Sequence, residues 1–261
     1  MHIMKIINYL QEKYPTGLAS SFDLGKIGLQ FGSKKSEIKK IMIALDGSND
    51  VIDEAIEKKV DLLITHHPFL FNPMLSMDYD SPFGQKMLKV FNHRLNIFAM
   101  HTNFDTAQEG MNDLLATLLG LTNIHAEKDE IDGSCFLRMG NIEPTSLLEF
   151  SNQVVKLLML DGARVIGDKN KMIQKVGIVG GGGSSDLFNA IFHQCDCFIT
   201  GEIRHNNALD AIDHNISIIE INHDVEALFK TYLKDKLVDA FKNEDVEIIT
   251  SEVEKSPFWR I

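Results

Sequence analysis

Asp61-Leu-Leu-Ile-Thr-His-His-Pro-Phe69 is the stretch on which the fold of this chain turns. Its first half is a short apolar run, the mark of a buried strand. The run stops at two adjacent histidines and a proline. Consecutive strand residues point to opposite faces, so a buried ladder has little use for such a pair. Pro68 removes a backbone donor and pushes His67 toward extended geometry. Two imidazoles are thus delivered at a strand's C-terminal end, where open α/β sheets keep their sites. A metal ion gives both rings a role.

The same alternation of apolar runs and helical spacing extends in both directions. Upstream, Ile3, Ile6, Ile7, Leu10 and Tyr14 follow helical spacing, Ile27–Gly32 reads as a short strand and Ile41–Leu45 as a strong one. Asp46–Asn49 is a turn and helix start, followed by a short helix over Val51–Lys58. Downstream, a loop over Phe69–Ser81 precedes a helix over Gly84–Phe91, a strand over Asn96–Met100 and a helix over Glu109–Leu119. Residues 125–175 read as α+β material, with Cys135–Met139 extended and Leu147–Leu160 helical. Strand and helix then alternate again through Val176–Val179, Asp186–His193, Asp196–Thr200, Arg204–His214, Ile216–Ile221 and Val225–Leu237. Such alternation predicts parallel βαβ units.

The halves echo each other. Val60–Pro68 resembles Cys195–Ile203, with Asp, Ile and Thr in register. In each half the next strand ends near a histidine with a carboxylate close behind, His101 and Asp105, then His223 and Glu226. A diverged duplication is the economical explanation. The expected fold is α/β: two similar α/β lobes with mixed, largely parallel sheets, residues 1–125 and 126–261, and a metal site in the cleft between them.

At 261 residues the chain is long enough to bury about three quarters of its unfolded surface. Its 26 basic and 37 acidic residues give a net charge of −11, which argues against nonspecific nucleic-acid binding or an anionic membrane. The cluster Lys34, Lys35, Lys39 and Lys40 reads as a solvated helix face. Three cysteines, Cys135, Cys195 and Cys197, suggest no disulfide framework. Cys195-x-Cys197 lacks CxxC spacing and reads as apolar thiols on one strand face. With no signal peptide and no run approaching 18 apolar residues, a reducing cytoplasm is expected.

Five residues at or beyond strand ends offer metal-ligand chemistry: His66, His67, Asp105, His223 and Glu226. Neighbouring histidines splayed by the pleat suit two adjacent ions, each ring reaching a different one, and a carboxylate can bridge the pair. Paired ions about 3.5–4 Å apart are the usual arrangement for metal-assisted hydrolysis. Mixed His and carboxylate ligation suits zinc, iron, manganese or nickel. His93, His125, His193 and His214 read instead as structural. His101 is a proton shuttle, a group that orients a ligand, or structural, and Glu202 orients a ligand imidazole or caps a helix. Gly180–Ser185 could cradle phosphate or form a turn needing positive φ, and it lacks a Walker A lysine.

Taken in order, these motifs resemble the Nif-three-like dinuclear metal-centre family, also called the GTP cyclohydrolase 1 type 2 homologues. The resemblance is nearly end to end. It includes Phe22-Asp23, Ile27–Gly32, Leu45-Asp46-Gly47, Ile64–Pro68, His101-Thr-Asn-Phe-Asp105, the Gly180–Ser185 loop, Thr200-Gly-Glu202, His223 and Glu226. It implies a two-lobed α/β fold with two metal ions in a cleft, assembled as a toroidal homohexamer. It places His66, His67, Asp105 and His223 on the metals, with Glu226 bridging. The family usually has Gly-His with a glutamate four residues later, whereas here Asn222 precedes His223 and Glu226 follows after three. The chain also lacks the long central insertion of some members. The implied activity is metal-dependent hydrolysis of a small phosphate-bearing or heterocyclic substrate, with a nucleotide as a possible ligand. The alternative is a non-catalytic metal-stabilised ring acting as a binding or scaffold protein.

Overall fold

The apolar run forms a strand, Leu62–Thr65, buried at every position. In the computed structural model, which describes residues 1–128 and 133–258, it is the middle strand of a five-stranded sheet. The elements of that first unit are α1 (Ile3–Lys13), β1 (Gly28–Phe31), β2 (Lys40–Ala44), α2 (Asn49–Glu57), β3 (Leu62–Thr65), α3 (Pro82–Asn92), β4 (Asn96–Ala99) and α4 (Thr102–Thr106). Two more come from the end of the chain, α9 (Leu228–Ala240) and β11 (Glu247–Thr250). The sheet order is β1-β4-β3-β2-β11, parallel except where β1 runs against β4. Its central strands need apolar residues throughout because they are covered on both faces, and Met42, Ala44, Leu63 and Ile97 join Val51, Ile52, Met87 and Val90 of α2 and α3 in one core.

The second unit contains α5 (Met111–Leu118), β5 (Thr122–Ala126), β6 (Arg138–Ser146), α6 (Leu147–Leu157), β7 (Arg164–Ile166), β8 (Met172–Val179), α7 (Leu187–Phe192), β9 (Cys197–Thr200), α8 (His205–Asp213) and β10 (Ser217–Glu220). Its sheet order is β5-β6-β8-β9-β10-β7. Here β8, β9 and β10 are parallel, and β5, β6 and β7 add antiparallel pairings at the flanks. Both units are therefore α/β with mixed sheets, each with a parallel three-strand centre.

Local sequence accounts for most element starts. Ser48 and Ser81 accept from the backbone N–H groups of Val51 and Gly84, and Pro82 follows Ser81 in the first turn of α3. Ser146 and Glu149 form a reciprocal capping box at α6.

The unit boundaries differ from those expected. The first unit comprises Met1–Ala107 with Ala227–Ile261, and the second Gln108–Glu226. The tail returns because β11 pairs in parallel with β2, while the Glu54 carboxylate accepts from Ser251 Oγ at 2.6 Å and Glu252 N at 3.1 Å. Residues up to Ala126 leave the first unit because β5 pairs with β6. Of the lysines expected on a helix face, Lys34, Lys35 and Lys39 lie instead on the turns and bend before β2, and Lys40 opens that strand, where it pairs with Glu247 at 2.8 Å. No helix among the described residues is long and apolar enough to cross a membrane.

Candidate metal centre

In the first unit the β3 ladder continues past its last residue. His66 N donates to Ala44 O at 3.2 Å and His67 N to Leu45 O at 2.9 Å. Thr65 Oγ1 donates to His67 O at 2.8 Å, so the turn into Pro68 is tied from both sides. His66 is completely buried beside the rings of Phe104 and Phe229. The parallel neighbour β4 ends alongside and supplies His101. The three imidazole centroids lie 5.1 Å (66 to 67), 5.3 Å (66 to 101) and 5.6 Å (67 to 101) apart. One ring nitrogen from each lies within 4.8 Å of the other two, a group that could hold a metal ion. Asp105, in α4, brings Oδ1 to 3.5 Å from His66 Nε2.

Two of these imidazoles are anchored by carboxylates. His67 Nδ1 lies 2.8 Å from Asp46 Oδ1, and His101 Nδ1 lies 2.7 Å from Asp23 Oδ2. Burial pushes the Asp23 carboxyl up, but hydrogen bonds from His101 and Thr102 outweigh it and hold the group below the usual carboxylate range. An ionised carboxylate only accepts, so Nδ1 of His101 carries the hydrogen and the Nε2 lone pair is left available. That is the arrangement by which metal-binding histidines are oriented. Asp46 is itself held. The Glu254 carboxylate accepts from Leu45 N and Asp46 N, at 2.9 and 2.8 Å, and pairs with Lys230 at 2.9 Å.

In the second unit His223 opens a 3₁₀ turn, His223–Ala227. With three residues per turn, positions i and i+3 eclipse, so a glutamate only three residues on reaches the ring. Glu226 Oε2 lies 3.0 Å from His223 Nε2, and Glu202 Oε1 lies 2.8 Å from Nδ1. A neutral imidazole has one N–H. A ring flanked by two carboxylates therefore needs a second cation, a proton or a metal, at Nε2. The donor set of the first unit, His66, His67 and His101, fits a divalent ion.

The Gly180–Ser185 loop serves this same glutamate. At Gly181, φ is +57° and an added Cβ would lie 2.2 Å from Glu226 Oε1. At Gly201 an added Cβ would meet the Gly181 backbone at 2.5 Å. The glycines let the loop pass under Glu226 and against the end of β9, where Glu202 N donates to Gly181 O at 2.9 Å.

Of the sequence-derived residues, His66, His67 and Asp105 thus meet in the first unit, together with His101, and His223 and Glu226 meet in the second. Glu202 orients an imidazole. Asp46 as the partner of His67 was not foreseen, since its turn position explained it already. Asp23 was visible only as part of Phe22-Asp23. His93 and His125 bond to the backbone carbonyls of Lys89 and Asn123. Cys195 and Cys197 are buried, and burial pushes the Cys195 thiol up to about 12 and that of Cys197 higher still.

Comparison with known proteins agrees with this picture. The family model described as Duf34/NIF3 (NGG1p interacting factor 3) matches residues 1–257. A Clostridium perfringens protein called GTP cyclohydrolase 1 type 2 homolog is 31% identical over 264 aligned residues, covering 99% of both chains. Among solved structures, a Staphylococcus aureus protein superposes with a TM-score of 0.90 at 27% identity, covering 100% of this chain and 99% of that one. A Bacillus cereus protein related to NIF3 gives a TM-score of 0.89 at 25% identity, over 99% and 98% of the two chains. Family model, relative and structures agree along essentially the whole length, and the chain belongs to the DUF34/NIF3 family.

Proposed function

We propose that the protein holds a pair of divalent metal ions and hydrolyses a small phosphate-bearing or heterocyclic substrate, and that it works as a toroidal homohexamer in the cytoplasm. The ligands are His66, His67 and Asp105 of the first unit and His223 and Glu226 of the second. The observation that carries this reading is the group of three imidazoles just past the ends of β3 and β4, two of them fixed through Nδ1 by carboxylates. The relatives' name, GTP cyclohydrolase 1 type 2 homolog, agrees with the reaction class.

Bound metal supplies activation of water and polarisation of the scissile group. The residues of the chain supply orientation and proton handling. Asp46 keeps His67 in the tautomer that offers Nε2, and Glu202 does the same for His223. Asp23 holds His101 through Nδ1 and so fixes the ring's orientation, which lets Nε2 serve as a proton acceptor. His66, completely buried beside Phe104 and Phe229, is shielded from solvent.

The test is metal content and turnover of the purified chain. About two metals per chain are expected, falling sharply in His67→Ala. In Asp46→Ala, metal affinity measured by chelator competition falls about 10–100-fold. A panel of nucleotides, phosphodiesters and cyclic amides should include one turned over by wild type and not by His67→Ala. Metal at this stoichiometry with no His67-dependent turnover, and a ring that dissociates on chelation, would replace the hydrolase reading with that of a metal-stabilised scaffold.

A further inference from the structure

We infer that Phe22, Lys26 and Phe71 form a subsite for a planar aromatic ring carrying an anionic substituent, beside His101. The inference rests on the proposed function and names the class of substrate that the site takes.

Phe22 and Phe71 are large apolar side chains left 51% and 47% exposed. Both stand edge-on to His101, with centroids 6.3 and 6.4 Å from that of the imidazole. Each belongs to a segment that also holds the centre. Phe22 precedes Asp23, the partner of His101, and Phe71 follows His66-His67-Pro68 by three residues. The Lys26 ammonium lies over both rings, 4.1 Å from the Phe71 centroid and 5.7 Å from that of Phe22. Among the described residues no carboxylate pairs with it, in a chain whose acidic residues outnumber its basic ones by 37 to 26. Two ring faces and an ammonium without a counter-ion make a surface that an aryl anion would complete. The rings offer stacking, and Lys26 turns from the ring faces to the anion.

The surface is held in place. Gln30 Nε2 donates to Lys26 O at 2.8 Å and to Leu70 O at 3.1 Å. Its Oε1 accepts from Phe69 N at 2.7 Å and Leu70 N at 3.3 Å. One side chain thus ties the Lys26 segment to the one bearing Phe71, which is what preorganises a binding site.

The experiment uses the full chain as purified and three probes that hydrolysis does not consume: naphthalene-1-sulfonate, methanesulfonate and 1-naphthol, with affinities read by calorimetry. Naphthalene-1-sulfonate should bind at least about tenfold more tightly than methanesulfonate. Phe22→Ala, Phe71→Ala and Phe71→Leu should erase that preference, the leucine variant because it keeps apolar bulk and loses the planar face. Lys26→Met should weaken naphthalene-1-sulfonate about tenfold and leave 1-naphthol unchanged. Equal binding of the two sulfonates by wild type, or a preference surviving in all the variants, would overturn the inference. So would a change in oligomeric state on light scattering in the phenylalanine variants, which would make the patch a contact between copies. A chain without metal that still shows the ring-dependent preference would refute the proposed function and leave the subsite standing.

Discussion

At the scale of single residues, the seating of Glu226 in the second unit depends on what is missing from a side chain. Glu226 occupies space that a Cβ at Gly181 would claim, and the positive φ there is a second penalty for any other residue. Gly181→Ala is expected to displace the glutamate, cutting metal content measured by atomic emission while leaving the circular-dichroism spectrum of the fold intact. The thiols make a separate prediction. Burial keeps Cys195 and Cys197 protonated and covered, whereas Cys135 is partly exposed. Native protein should therefore give one fast-reacting thiol of three with Ellman's reagent, and all three once unfolded. His66 and His67 stood out in the sequence as candidate ligands because adjacent histidines before proline have few packing uses. Glu202 was legible as a carboxylate that orients an imidazole, but Asp46 and Asp23 were not legible as partners of His67 and His101. Asp46 sits 21 residues from His67 and Asp23 sits 78 from His101, and only the sheet brings each pair together.

At the scale of elements, the duplication suspected from three shared residues recurs in hydrogen bonds. Asp61 Oδ2 accepts from Lys39 N and Lys40 N at the start of β2, and Asp196 Oδ2 accepts from Gln174 N and Lys175 N of β8, just before that strand's parallel pairing with β9 begins. Thr65 and Thr200 close the matching strands, with side chains turned to the backbone oxygens of His67 and Glu202. Helices α2, α3, α7 and α8 end alike, with Lys59, Arg94, Gln194 and Asn215 at positive φ and a buried apolar residue next, at Val60, Leu95, Cys195 and Ile216. This is the Schellman ending built without its usual glycine. Arg94→Gly should relieve left-handed strain and raise unfolding free energy in urea by up to about 1 kcal/mol, the gain being trimmed by the freer unfolded chain. Strong periodicity made the central strands and most helices readable. The elements that escaped included α4 and β7, only five and three residues long, β5, exposed along its length, and β11, whose partner lies some 200 residues earlier. A helix was expected from Val225, where the chain instead makes a 3₁₀ turn before α9, and that tighter winding is what seats Glu226.

At the scale of the molecule, the return of the C-terminal segment makes the first unit discontinuous in sequence. Its clasp is Glu54, nearly buried, which joins α2 to Lys58, Ser251 and Glu252. Burial raises the Glu54 carboxyl, but hydrogen bonds from Lys58, Ser251 and Glu252 outweigh it, so the folded group titrates below 4.5. The stabilisation is present above the unfolded value and is lost as pH falls through the lower folded one. Glu54→Gln should cost about 2 kcal/mol at pH 7, with a shallower decline in stability below about pH 4.5 than wild type shows, both read from urea titrations across pH. The discontinuity also sets an order of events during synthesis. Residues 108–226 emerge as an uninterrupted stretch and can close at once. The earlier sheet must wait with the flank of β2, Ile41-Met-Ile, open as a template for stray pairing. That flank is sealed only once the segment Ala227–Ile261 has been made and β11 can pair with β2, so the first unit stays open to stray pairing until then.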